Sequence, residues 1–135
     1  MAKSDNIFVS RRLLSSSPYL KLSGSSIKVL NFFFMRRQMK KFRSRRSDSW
    51  QITNNGEIVF TYNEAEKLGF TRPKFKRALD QLIEYGFIDI EYHGGGMMKD
   101  FSKYAISDRW KLFGTDEFIK KIRPKDTRGL GFKSK

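Results

Sequence analysis

Apolar residues follow a helical period most clearly between Arg72 and Tyr85. Five of them recur at i, i+3, i+4, i+7 and i+8, the spacing of one buried helix face: Phe75, Ala78, Leu79, Leu82 and Ile83. Thr71 is suited to cap this helix, Pro73 fits its first turn, and Gly86 is suited to end it. The pattern predicts a helix over residues 72–85.

A shorter helix is predicted directly before it, from Tyr62 to Leu68. Thr61 or Asn63 is expected to cap this helix. Gly69 is expected to close it, because glycine adopts the left-handed backbone conformation that ends helices at little cost. The inward-facing residues are predicted to be Ala65 and Leu68. Two helices joined by so short a connection predict a helix-turn-helix.

A third helical stretch is predicted from about Ser23 to Phe42. The apolar residues of its middle part do not share one face: Ile27, Leu30 and Phe34 lie on one side, and Val29, Phe32 and Phe33 point elsewhere. A helix that is apolar nearly all round is buried on more than one side. Either an N-terminal arm and a hairpin cover it, or a second subunit does, which would make the protein a homodimer through this helix.

Two hairpins are predicted from shorter apolar runs. The segments 50–52 and 57–60 flank Asn55-Gly56, and an Asn-Gly pair between apolar runs is typical of a tight hairpin turn. The second of these strands would lead directly into the helix-turn-helix. After it, the runs FIDIEY and FSKYAIS flank a triple glycine and predict a second hairpin.

The net charge of the chain indicates which kind of partner to expect. The 135 residues carry a formal net charge of +14, which favours a polyanion, either nucleic acid or an anionic membrane surface. Residues 1–61 carry twelve basic and three acidic side chains, residues 62–118 carry nine and ten, and residues 119–135 carry seven and one. The predicted helix-turn-helix is therefore nearly neutral, and its flanks are expected to supply the attraction to phosphates.

Residues 60–107 resemble the winged helix-turn-helix superfamily, and they look most like the small winged-helix proteins of phages, plasmids and other mobile elements. The matching segments are EIVFTY, LGFTRP, KFKRALDQLIEYGF and IDIEYHGGG. The resemblance implies an α+β winged helix-turn-helix whose second helix enters the DNA major groove. The same fold also hosts RNA-binding and protein-interaction modules. The chain then divides into an N-terminal arm (1–22), a winged helix-turn-helix domain with a long first helix (23–118), and a basic, flexible tail (119–135).

The predicted DNA contacts fall into three groups. At the tip of the second helix they are Thr71, Arg72, Lys74, Lys76, Arg77 and Gln81. Arg77 and Arg72 are expected to donate two hydrogen bonds each to a guanine, and Gln81 is expected to pair with an adenine. The lysines are suited to bind phosphates. The second hairpin adds Lys99 and Lys103. The basic run after the first helix adds Arg36, Arg37, Lys40, Lys41, Arg43, Arg45 and Arg46. The competing interpretation of each group is a solvated basic surface without a contact.

Catalysis finds little support in the sequence. A single histidine, His93, and the absence of cysteine exclude two-histidine metal motifs and thiol catalysis, and no phosphate-binding GxxxxGK[ST] loop occurs. Asp89 and Glu91 share a strand face, but ordinary hairpins carry such pairs. We expect no enzyme, no cofactor and no metal site.

The sequence favours a sequence-selective double-stranded DNA-binding protein, which would serve as a transcription regulator or as a replication or partition accessory of a mobile element. The alternatives are an RNA- or ribosome-associated protein of the same fold, and an assembly module that oligomerises through its first helix. No run approaches the roughly 18 apolar residues of a membrane span, and the N-terminus lacks the apolar core of a signal peptide. We therefore expect a cytoplasmic protein without a membrane partner.

Overall fold

The computed structural model describes residues 5–94 and 101–122. In these residues the chain forms five α-helices: α1 (Arg11–Leu14), α2 (Ser17–Leu20), α3 (Gly24–Arg36), α4 (Tyr62–Lys67) and α5 (Arg72–Glu84). Two antiparallel strand pairs accompany them, β1 (Met39–Phe42) with β2 (Ser49–Ile52) and β3 (Ile88–Tyr92) with β4 (Lys103–Ile106). A single 3₁₀ turn, Arg109–Leu112, follows β4. The prediction of an α+β architecture is confirmed.

Helices α4 and α5 begin and end where the sequence predicts. Thr61 caps α4 through a reciprocal pair of hydrogen bonds with Glu64, and the Thr71 hydroxyl accepts from the Lys74 amide at 3.3 Å to cap α5. Gly69 and Gly86 follow the two helices with φ of +99° and +91°. All five residues predicted for the inner face of α5 are buried. The prediction for Leu68 is wrong, since this residue is the C-cap of α4 and is 44% exposed.

The long first helix is shorter than predicted and is preceded by two short helices. Helix α3 ends at Arg36, and residues 39–42 form strand β1 instead of its last turns. The carboxamide of Asn54 explains this ending. Its Nδ2 donates to the Arg36 carbonyl at 3.0 Å, and its Oδ1 accepts from the Gln38 amide at 2.7 Å. A side chain 16 residues away thus takes the backbone groups that another helical turn would use.

The first predicted hairpin is also wrong in its pairing. Strand β2 pairs with β1, and not with residues 57–60, so the basic run forms a two-stranded ribbon over residues 39–52. Asn55 and Gly56 still form a turn, with φ of +86° at the glycine. The Asn55 carboxamide, however, bonds to the backbone N–H and carbonyl of Ile106 at 2.6 and 3.0 Å. This turn therefore joins the ribbon to the second sheet.

The second predicted hairpin is present as β3 and β4. Ile58 joins this sheet through a single antiparallel bridge, because its backbone exchanges hydrogen bonds with Tyr104 at 3.1 and 2.7 Å. The segment that enters α4 thus runs beside β4, and it leads directly into the helix pair as predicted. The tip of the hairpin, including the last two residues of its triple glycine, lies outside the described residues.

The core is built by α3, α5 and the second sheet. Helix α3 is covered by its own chain, because Phe33 packs against Phe60 and Tyr104, and Phe32 packs against Phe60 and Phe70. Of the two explanations for its apolar surface, cover by the chain itself is the one found. Leu13 and Leu22 of the N-terminal segment belong to the same core. Among the described residues, the helices are all too short or too polar to cross a membrane.

Arg109 holds the last residues of the described range against this core. Its guanidinium bonds to the Asp89 carboxylate at 2.6 and 2.9 Å and to the carbonyls of Ile83 and Ile119 at 2.7 and 2.8 Å. Lys121 reaches the other oxygen of Asp89 at 3.6 Å. The first residues of the segment predicted as a flexible tail therefore contact the domain, and residues 123–135 lie outside the described range.

Candidate nucleic-acid interface

The N-terminal half of α5 presents free cations to solvent. Lys74, Lys76 and Arg77 are exposed, and within the described residues their side chains make no hydrogen bond or ion pair. The opposite side of the helix sets its orientation, because Phe75 and Leu79 are buried there at 0% and 1% exposure. Since the buried face fixes the rotation of the helix, the three cations point outward together.

Arg72, predicted as a second base-reading fork, already has partners on α4. Its Nε pairs with the Glu66 carboxylate, its Nη2 donates to Asn63 Oδ1 at 3.0 Å, and its guanidinium lies 5.6 Å from the Tyr62 ring centroid. A guanidinium held in this way would have to leave these contacts before it could fork onto a base. Arg72 therefore links α5 to α4, and Arg77 is the free arginine of this tip.

Gln81 is likewise engaged inside the molecule. Its Oε1 accepts from the backbone N–H of Ser23, the cap residue of α3, at 3.0 Å. The side chain is half-buried. This bond ties the C-terminal half of α5 to the start of α3, so the predicted adenine contact by Gln81 would break it.

Two members of the predicted basic run belong to the body of the domain. Arg36 donates to the Val59 carbonyl at 2.8 Å and to Glu64 Oε2 at 2.9 Å, and it lies 4.2 Å from the Phe60 ring centroid. Arg37 donates to the Phe8 carbonyl and packs on the Phe34 ring. Burial lowers the pKa of Arg37 below its ordinary value. These two arginines anchor the end of α3, so a phosphate could bind only to their remaining N–H groups.

The remaining cations of that run lie on the ribbon and are exposed: Lys40, Lys41, Arg43, Arg45 and Arg46. Lys41 pairs with Asp48, the single acid of the ribbon, at 3.3 Å, and Lys40 lies over the Phe42 ring. The three arginines occupy the loop between the strands. There the Ser44 hydroxyl accepts from the amides of Arg46 and Ser47 at 3.3 and 3.2 Å, which gives the loop a defined turn.

Of the two cations predicted on the second hairpin, Lys103 is described and has partners. Lys103 pairs with Glu57 at 3.1 Å and lies 5.9 Å from the Tyr92 ring centroid. Lys99 lies outside the described residues.

Helix α4 forms an ion pair with an arginine at the base of the ribbon and with another at the tip of α5. Arg36, at the base of the ribbon, pairs with Glu64, and Arg72, at the tip of α5, pairs with Glu66. Partial burial alone would raise the pKa of Glu64, but hydrogen bonds from Thr61 and Arg36 outweigh it and leave that pKa below its ordinary value. The carboxylate is therefore charged at neutral pH and holds the ribbon base against α4.

Sequence reasoning missed the aromatic side chains of the ribbon. Trp50 and Phe42 were interpreted as an ordinary strand residue and as the end of a helix, yet they are 63% and 40% exposed. The sequence carries no signal that would have found them, because Met39 and Phe42 lie three positions apart, which is helical spacing and not the alternation of a strand.

Comparisons of the chain with protein-family models, with curated proteins and with solved structures find no match in any of the three.

Proposed function

We propose that this protein is a winged helix-turn-helix that binds double-stranded DNA with sequence selectivity. Helices α4 and α5 are the helix-turn-helix, and the β3–β4 hairpin is the wing. The N-terminal half of α5 enters the major groove, where Arg77 forks onto a guanine and Lys74 and Lys76 bind phosphates. A role as a transcription regulator, or as a replication or partition accessory of a mobile element, follows from such an activity.

The observation that carries the proposal is the group of free cations on α5. An ordinary solvated helix of this length would carry acids among its exposed positions, and α5 does so only in its second half, at Asp80 and Glu84. The positions from Arg72 to Arg77 contain four cations and no acid. A DNA-reading helix has this asymmetry when only its N-terminal part approaches the duplex.

The ribbon supplies a second area of attraction. Residues 39–52 carry five cations and one acid, and the base of the ribbon is fastened to α4, the helix that also holds Arg72. Two positive surfaces attached to the same short helix suit a long polyanion better than a small anion. The binding constant should then fall as salt rises. For each phosphate neutralised, the slope of log binding constant against log salt concentration should be about −0.9.

A selection from random duplex DNA followed by titration tests this proposal. The wild-type protein should enrich a motif, and Arg77→Ala should bind that motif about 5- to 150-fold more weakly, which corresponds to about 1–3 kcal/mol, with relaxed preference at one position. Lys28→Ala is the matched control, because Lys28 is an exposed cation on α3 whose loss changes the net charge equally.

The proposal fails if Arg77→Ala and Lys28→Ala behave alike, or if no motif is enriched. Competition with structured RNA separates the proposal from the alternative of an RNA-associated protein. If structured RNA displaces the selected duplex at equal concentration, the RNA-binding role takes precedence.

A further inference from the structure

The ribbon exposes an aromatic platform that duplex binding does not require. The strand register places Met39 opposite Ile52 and Lys41 opposite Trp50, so these four side chains share one face. Lys40, Phe42, Ser49 and Gln51 share the other. All strand residues of the ribbon except Ile52 are exposed, and none of the buried core residues belongs to it.

Trp50 is the most exposed aromatic ring of the ribbon. It is 63% exposed and lies on the face with Lys41, while Phe42 on the other face is 40% exposed and has the Lys40 ammonium 5.5 Å from its ring centroid. An indole left in water loses the free energy that burial of its large apolar surface would provide. Trp50 shares its face of the ribbon with Met39, which is 38% exposed, and it is adjoining exposed apolar residues, more than single ones, that mark contact surfaces.

The charge around Trp50 identifies the partner. Arg43, Arg45 and Arg46 occupy the loop that ends the ribbon, and Lys40 and Lys41 lie on its first strand, against one acid, Asp48. An exposed aromatic ring on a ribbon that carries five cations matches the chemistry of a nucleic acid, which offers base rings and phosphates in alternation. In a duplex, however, the flat faces of the bases are covered by their neighbours. Only unpaired bases can stack on Trp50.

We propose that the ribbon is a second nucleic-acid site, which binds a single strand by stacking an unpaired base on Trp50 while the arginines of the ribbon loop hold the adjoining phosphates. This inference goes beyond duplex binding by α5 and does not depend on it. The contact is independent of sequence, since every base has a flat face to stack.

Titration with a labelled oligothymidine, read by anisotropy and by tryptophan fluorescence, tests the proposal. The full-length protein contains two tryptophans, and Trp110 is buried against Phe87, so an added strand should quench the Trp50 signal. Trp50→Leu should weaken binding roughly fivefold to 150-fold, the range expected for one stacked base. Trp50→Phe should retain most of the affinity. A matched oligouridine distinguishes DNA strands from RNA strands, and tight binding of either supports the site.

Phe42→Leu is the control, because it removes an exposed ring from the opposite face of the same ribbon and should leave the affinity unchanged. Three results would each overturn the proposal: no quenching on binding, Trp50→Leu binding as tightly as the wild type, or an equal loss in Phe42→Leu. Quenching that rises with protein concentration in the absence of oligonucleotide would also overturn it, because the platform would then be a contact between two copies of the chain.

The same titrations keep this site distinct from the duplex site. Arg77→Ala should bind oligothymidine normally, and Trp50→Leu should retain the preference for the selected duplex. Either proposal can then fail while the other stands.

Discussion

Gly86 and Gly69 form a matched pair for testing how much the packing of the 3₁₀ turn on the end of α5 contributes to stability. Both follow a helix and both have positive φ, +91° and +99°. A Cβ added at Gly69 would meet nothing within 4 Å. At Gly86 it would lie 2.6 Å from the Trp110 nitrogen and 2.8 Å from the Arg109 carbonyl carbon. These are backbone atoms, which a side-chain rotation cannot move.

The expected cost of each alanine follows from this difference. Gly69→Ala should lower the free energy of unfolding by about 1–2 kcal/mol, the cost of a left-handed backbone for a residue with a Cβ. Gly86→Ala carries the same cost and must also displace the 3₁₀ turn, which adds about 1–3 kcal/mol of overpacking. The effect of the methyl group on the unfolded chain is the same at both positions and cancels in the comparison.

Urea unfolding monitored by circular dichroism measures both variants. Gly86→Ala should be the less stable of the two by about 1–3 kcal/mol, with an unchanged dependence on urea concentration. If the two variants unfold at the same urea concentration, the close approach of the 3₁₀ turn to Gly86 does not contribute to stability, and the reasoning fails.

Substitutions at Arg109 and Glu64 test the contribution of ion pairs to stability, with Lys111 as the surface control. Arg109→Met leaves Asp89, which is 16% exposed, with Lys121 alone, and should lower the free energy of unfolding by about 3–5 kcal/mol in urea. Lys111→Met at a surface pair should cost less than about 1 kcal/mol, and equal losses would contradict a special role for Arg109. Glu64 has a lowered pKa in the folded protein, so its stabilising contribution is complete above its unfolded pKa of about 4.3 and is lost as pH falls through the lower folded value. Glu64→Gln should therefore be destabilising at pH 7, by an amount that shrinks as pH falls below about 4.3, and a difference from the wild type that is independent of pH would refute the assignment.

Helices α4 and α5 could be predicted from sequence because local signals determine them. Threonine caps, terminal glycines and a five-residue apolar face all lie within a few positions of the bonds that they form. The outward direction of Arg77 follows from the same periodicity. Each of these features needs only the geometry of a single helix.

The ribbon could not be predicted because a distant side chain determines it. Gln38, Met39, Lys40 and Lys41 are all good helix formers, and a helix through them is the natural expectation. Asn54 ends that helix from another part of the chain. The Asn55-Gly56 turn was assigned to the wrong strands for a related reason, since the Asn55 carboxamide bonds to Ile106, 51 residues later.

The residues of the candidate site also divide into those set by local sequence and those set by distant parts of the chain. Exposure of Lys74, Lys76 and Arg77 follows from the helical period. The internal partners of Arg72, Gln81, Arg36 and Arg37 lie on other elements. Composition reveals how many cations a segment holds, but only tertiary contacts reveal which of them are free.

The meeting of the two ends of the domain has a consequence for how the protein folds. Tyr19 packs edge-on against Phe87, and Arg12 lies 5.9 Å from the Trp110 ring centroid, so the N-terminal helices contact the 3₁₀ turn near the other end of the described chain. Contacts between residues so far apart in sequence require a long loop to close before they contribute any stability. During synthesis, α1 and α2 have to wait for Trp110 to leave the ribosome. We therefore expect residues 11–22 to fold with the domain as one cooperative unit, only after Trp110 has been synthesised.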